Sequence, residues 1–435
     1  QTCSAGDSSC DVFRKVGQAF STTIRPVAWR ADGELCKAST TRNYRQDQLQ
    51  LRPVVLAPSP VVGGVAGQVL TPVDGSYDHL PSGSPANWDG TIVEDVALSE
   101  VGVFRLRVEP PPYLGVAVPA SDSAPIGRFI PRYLKATIEG ALNAGCGVFS
   151  YQDQPVAVTT PPALTITGYG VADGAEYRTE NYDFDGFWGF ASSPVPSWLA
   201  AGGNLDLTPR LDQGKGMPEA LTWQSIKDLV PSQSGDNDGD GQRTYTWDAD
   251  WLRYLRAEQP DADDHPFQML LRFTAQELTD RDGVCNGSTC QDSEVVLEQS
   301  EFRLGRLRIG NGHGSELQDL SLPWVIETWR ASNIFLPEAG DTCSAPIWGN
   351  AQAFEQVGNL ASQSLQIEGG QTGYEGSLVI GKPEATGEAR IGFPNVPEWL
   401  WYDWQGKGLE ASRGLASFGI YLGPKPLIFR REVYR

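Results

Sequence analysis

Short runs of alternating apolar residues, each cut off by Gly or Pro, restrict this chain more than any other feature. Gln48 to Leu56 and Gly102 to Val108 place apolar side chains at every second position, the spacing of a half-buried strand. In the second run Val103, Arg105 and Arg107 face one way, and Phe104, Leu106 and Val108 the other. Pro110, Pro111 and Pro112 then end it, because proline donates nothing to a ladder. The same punctuation recurs throughout: 48 glycines and 31 prolines in 435 residues, with no Gly-X-Y period, favour short strands over long helices or coiled coils.

Further strands are expected at Gln154 to Val158, Leu164 to Gly168, Phe267 to Phe273, Leu322 to Trp329, Gly376 to Ile380, Ala389 to Phe393 and Ala416 to Leu422. Phe302 to Ile309 alternates at both ends and slips phase at Gly305, which predicts a bulge. One segment has helical spacing instead: Leu221, Ile226, Leu229 and Val230, with Pro218 at the first turn. The fold expected is all-β, with tandem immunoglobulin-like antiparallel β-sandwich domains and a short helical insertion. Turn-rich breaks divide it into an N-terminal domain at 1–125, a central domain at 126–290 carrying the helical and Asp-rich insertion, and a C-terminal domain at 291–435.

The formal net charge of −20 repels phosphate backbones and anionic lipid, so nucleic acid is not an expected partner. The longest uncharged stretch, Pro53 to Val73 apart from its turns, is too rich in Pro and Gly for a membrane span, so the chain is not expected to be membrane-embedded. No signal peptide is visible in the first twenty residues, and a start at Gln1 reads as a trimmed end. Of seven cysteines, Cys3 with Cys10 and Cys285 with Cys290 are joined by turn-forming residues short enough for local disulfides. Cys36, Cys146 and Cys343 leave at least one thiol over, and seven reduced cysteines in a cytosolic protein is the alternative.

Asp236, Asp238 and Asp240 alternate in a run that reaches Gly241, the front half of a calcium loop, since Ca²⁺ needs several hard oxygens on a tightly turned backbone. Position twelve is Trp247, which supplies no carboxylate, so a solvated acidic loop is the competing reading. Trp399 and Trp401 would share one face of a strand, as a platform for sugar rings or partner aromatics or as sandwich core; Phe184 to Phe190 poses the same choice. No nucleophile elbow or HExxH helix occurs, and His79 and His265 lie in Asp- and Pro-rich loops that read as solvated.

Several segments in order are similar to a known family. Gly127 to Pro131, Cys146 to Pro155, Asn181-Tyr182-Asp183, Arg306 to Leu317, Asp341-Thr342-Cys343, Pro397 to Leu400, Ala416 to Tyr421 and Arg431 to Tyr434 resemble successive landmarks of the MshQ-like proteins of mannose-sensitive haemagglutinin (MSHA) pili, a type IV pilus. The resemblance runs from Gly127 to Arg435 and brings no catalytic residues. It lacks the lectin-like jelly roll of larger members, so a sugar-binding role does not transfer. What it implies is a non-enzymatic extracellular component or accessory adhesin, in contact with pilus subunits or other surface proteins. The alternative is a secreted carbohydrate-binding or carbohydrate-active protein, with a glycan as partner, that uses the Trp-rich surfaces.

Overall fold

The computed structural model describes residues 3–31, 33–81, 88–203, 205–216, 224–225, 229–257, 259–331, 334–344, 348–369 and 373–419. Among them the chain is all-β, in tandem antiparallel sandwiches, and every helical turn is a short 3₁₀ piece. The N-terminal module packs one sheet, in the order Arg14–Lys15, Ile126–Ile130, Gly102–Glu109, Gln46–Ala57 and Ser76–His79, near a second of Phe20–Ile24, Ile92–Leu98 and Val69–Thr71. Its core holds Leu49, Leu51, Val96, Phe104 and Phe129. The central module is built on Tyr133–Leu142, Val156–Ala172, Phe267–Phe273 and Ser293–Arg303. The C-terminal module sets Gly305–Ile309, Leu320–Arg330 and Glu375–Ile380 over Gly387–Gly392 and Gly414–Phe418.

Strand pairing moves both expected boundaries. Ile126–Ile130 does not open the central domain but pairs with Gly102–Glu109, because Phe129 belongs to the N-terminal core. Ser293–Arg303 does not open the C-terminal domain but pairs with Phe267–Phe273, and the module changes at Leu304. The phase slip at Gly305 is therefore a domain crossing, not a bulge. A Cβ there would lie 2.4 Å from the Tyr151 ring, so the close approach of the two modules requires glycine.

Val156–Ala172 joins two expected strands into one. Its ladder with Tyr133–Leu142 slips between Ala163 opposite Glu139 and Thr160 opposite Ala141, and Pro161 and Pro162 fall in that slip, where proline is tolerated. The helical insertion is not found at its described positions: Gln224–Ser225 is extended and pairs with Gly214–Lys215. Residues 217–223 and 226–228 of that segment, and 420–422 of the last expected strand, lie outside the described residues.

Disulfides join Cys3 to Cys10, Cys285 to Cys290, and Cys146 to Cys343. The third closes 197 residues and staples the central module to the C-terminal one. Cys146, Phe149 and Tyr151 leave the central module and pack into the C-terminal core beside Leu307, Trp324 and Trp348. The side chain of Cys36 lies outside the described residues.

Candidate functional site

The Asp-rich loop turns between the hairpin strands Ser232–Ser234 and Gln242–Thr246. Gly241 has a φ of +72°, and a Cβ there would meet the Thr179 carbonyl at 2.2 Å. That close approach brings in Asp183, a fully buried residue at the end of the 3₁₀ turn Glu180–Asp183. Its carboxylate accepts the amides of Asp238 at 2.8 Å, Gly239 at 3.0 Å and Gly241 at 3.2 Å. Burial pushes its carboxyl up and these three amides pull it back.

Carboxylate oxygens of Asp183, Asp238 and Asp240 lie within 4.8 Å of one another. The expected trio of Asp236, Asp238 and Asp240 does not converge as such: Asp183 stands in the cluster where Asp236 was expected. Asp236 accepts from Gln233 Nε2 at 2.5 Å and lies 3.6 Å from Arg243 Nε, a buried guanidinium that already balances its charge. Asp183 is far from the loop in sequence and carried no spacing signal.

The Trp-rich segment is not a strand. Glu398–Leu400 is a 3₁₀ turn, so Trp399 and Trp401 do not share a flat face, and both pack half-buried against the C-terminal core. Trp401 Nε1 donates to the Val396 carbonyl at 2.8 Å. Arg306 sits 3.6 Å from the Phe335 ring centroid, 4.8 Å from Tyr402 and 5.0 Å from Trp404, so the protein's own cation covers these rings. Phe184, Phe187 and Trp188 are core residues.

The described residues also bring buried polar groups together at two junctions between modules, which sequence reasoning did not single out. Arg256, in the central module, donates to the Trp399 and Trp401 carbonyls at 3.2 and 2.6 Å. Burial holds its guanidinium down at about 10, and Asp153 opposes that fall. Tyr151 Oη donates to Asp341 Oδ2 at 2.6 Å, and Arg303 pairs with Glu338 at 2.9 Å. At the other junction Arg128 forks onto both Asp282 oxygens at 2.6 Å, and its Nε donates to the Cys10 carbonyl. Asn181 Nδ2 donates to the carbonyls of Val65 and Val101, each at 2.8 Å.

Glu100 closes the same junction by accepting the amides of Val101, Glu180 and Asn181. Burial pushes its carboxyl up to about 8 against the pull of these donors. An unfolded glutamate titrates near about 4.3, so between these values the folded chain keeps a proton that unfolding releases. The stability this group contributes is present at low pH and lost as pH rises through about 8. Glu100→Gln cannot titrate and is expected to flatten the fall in melting temperature between about pH 5 and pH 8. Parallel curves for the two proteins would assign that fall to other groups.

These features define a class: an all-β, multi-module protein whose sandwiches are locked end to end by buried ion pairs and a long-range disulfide. The chain belongs to the DUF6701 family; the family's second domain matches residues 1–88, its third 100–301 and its fourth 303–433. The last division coincides with the crossing at Leu304, whereas Gly102–Glu109 and Ile126–Ile130, matched to the third domain, complete the sheet of the second. No curated protein matches the sequence. Among solved structures, the Escherichia coli adhesin FdeC is 13% identical with a TM-score of 0.26, over 93% of this chain and 99% of that one. Invasin, a bacterial integrin-binding protein, is 7% identical with a TM-score of 0.23, over 92% and 60%. BcpA, the major pilin subunit of Bacillus cereus, is 10% identical with a TM-score of 0.18, over 91% and 92%. No helix of the described residues is long and apolar enough to cross a membrane.

Proposed function

We propose that the protein is a non-enzymatic, extracellular component or accessory adhesin of a type IV, MSHA-like pilus, acting through protein–protein contacts. The observation that carries this reading is the stapled junction between the central and C-terminal modules. Cys146–Cys343 closes it covalently, and Arg256, Tyr151 and Arg303 reach across it. Disulfides of this kind persist in oxidising compartments, and a junction ordered by buried contacts transmits force instead of bending. The MSHA assignment rests on the ordered motifs from Gly127 to Arg435. Filaments sheared from the surface of cells that make this protein are expected to carry it; recovery only from the cytosol would defeat the reading. What weighs against the glycan-binding alternative is that Trp399 and Trp401 are half-buried against the C-terminal core and Arg306 lies over the neighbouring Trp404.

A calcium ion belongs to the same proposal. Asp183, Asp238 and Asp240 would hold it, and it would supply rigidity to the loop at the N-terminal edge of the central module. Calcium at a hundredfold its Kd is expected to raise the melting temperature of chelator-stripped protein by about 5–10 °C, and Asp183→Asn to abolish the rise. A melting temperature indifferent to chelation would remove the ion from the account.

A further inference from the structure

The two ends of the N-terminal module present apolar tips in surroundings of opposite charge. Phe20–Ile24 lies antiparallel to Ile92–Leu98, with Phe20 opposite Val96 and Ile24 opposite Ile92. Ile92–Leu98 leads into Glu100, which accepts amides of the central module, so Phe20 lies toward the junction and Ile24 toward the far end. That strand alone spans about 13 Å. Gln46–Ala57 is laid the same way, with Gln46 against His79 at the far end and Ala57 against Val103 near the junction.

Beyond Ile24 the chain makes a hairpin-like excursion at the far end. Val27 bridges to Thr40, the Ala28 amide donates to the Ser39 carbonyl at 3.0 Å, and the Thr41 amide donates to the Pro26 carbonyl at 3.0 Å. Its base is packed: the Tyr44 ring lies 5.5 Å from His79, which is 0% exposed and not in the solvated loop that its sequence suggests. Trp29 stands out from this base, 82% exposed, and shares the border of one recess with the exposed Leu35. Residues 25–45 carry Arg25, Arg30, Lys37, Arg42 and Arg45 against Asp32 and Glu34, a cationic stretch in a chain of net charge −20. The junction end is the reverse. The turn Pro60–Val62 exposes Val61 at 93% and Val62 at 60%. A Cβ on Gly63 would lie 3.4 Å from the Phe184 ring, and one on Gly239 would lie 3.9 Å from the Gly63 carbonyl, so these valines stand beside the acidic loop. Asp185, Asp236 and Asp238 are exposed there, whereas the neighbouring Arg243 is buried.

We propose that copies of this chain join head to tail, the Trp29 hairpin of one docking on the Val61–Val62 turn and its acidic surround on the next. An apolar centre with a charged rim is the anatomy of a transient interface, and Trp with Arg is the pairing that most often dominates one. Opposite rims steer the two ends together and fix their register, whereas either end meeting its own copy would oppose like charges. The two ends lie apart on one module, so a single chain cannot satisfy both by folding on itself. Such an interface is heterologous, and each added copy leaves one end open for another. The inference is independent of the pilus reading, since the purified chain alone tests it.

The test is sedimentation equilibrium of the full chain, with chelator present so that no cation occupies the acidic loop. The unaltered chain is expected to associate beyond the dimer at low salt, and about tenfold more weakly at about 0.5 M salt, where charges are screened within a few ångströms. Trp29→Ser removes one face and should weaken association about thirtyfold. Val61→Arg blocks the other face by placing a cation before the basic hairpin. Both positions are exposed, so melting temperatures should stay those of the unaltered chain. Each variant alone should be monomeric where the unaltered chain associates. An equimolar mixture keeps one intact face from each and should form dimers that grow no further. A chain that stays monomeric at low salt, a variant that associates as the unaltered chain does, or a mixture without dimers would overturn the proposal.

Discussion

Replacing Cys146 and Cys343 together by serine is expected to destabilise the C-terminal module by about 2–5 kcal/mol. The bridge closes 197 residues, so in the unfolded chain it removes as much conformational freedom as a natural disulfide commonly does. Its native side is equally committed. Cys146 is fully buried among Phe149, Tyr151 and Trp348, and Ser344, next to Cys343, donates to the same Asp341 that receives the Tyr151 hydroxyl. Denaturant unfolding followed by tryptophan fluorescence reads the two stapled modules together, because Trp324 and Trp348 are buried in the C-terminal one and Trp188, Trp198, Trp247 and Trp251 in the central one. The transition assigned to them should move to lower denaturant while the N-terminal module keeps its own midpoint. An unchanged midpoint would mean that the buried contacts alone hold the junction.

The second large effect is expected at Arg128. Its guanidinium and the Asp282 carboxylate are about nine-tenths buried, and both oxygens are engaged at 2.6 Å. Arg128→Ala leaves a buried carboxylate without its partner, a change that costs about 3–5 kcal/mol. The double replacement Arg128→Met with Asp282→Leu removes both charges and is expected to recover most of that loss, since a buried pair and an apolar pair of similar volume differ little. Equal losses in the single and double variants would show that the strand Ile126–Ile130 needs Arg128 for another reason, such as its bond to the Cys10 carbonyl.

The strands were the legible part of this molecule. Alternation located Gln46–Ala57, Gly102–Glu109 and Leu320–Arg330 because each buries one face more than the other, and period two survives that asymmetry. Gly305 was legible as an irregularity but not as a domain crossing, since its cause is the ring of Tyr151, distant in the chain. Boundaries misled for the same reason: Ile126–Ile130 follows a small-residue stretch that reads as a linker, yet Phe129 completes the core of the module before it. The partner of Cys146 was hidden, because pairing across 197 residues is decided by tertiary topology and not by spacing.

The acidic loop shows how a local motif and the cluster that tertiary structure assembles can differ by one member. Asp238 and Asp240 were read from alternation, but Asp236 is held by Gln233 and Arg243, and the third carboxylate arrives on a different element. The Trp-rich segment misled more deeply. Strand geometry would have aligned Trp399 with Trp401, whereas the 3₁₀ turn after Pro397 presents their carbonyls to Arg256. Those residues serve a junction, and a junction has no sequence period.

Non-reducing peptide mapping of the protein recovered from sheared surface filaments tests the central claim most directly. The account predicts that the protein is present in that fraction and that a peptide containing Cys146 is covalently joined to one containing Cys343. Protein confined to the cytosol, with both cysteines free, would contradict it.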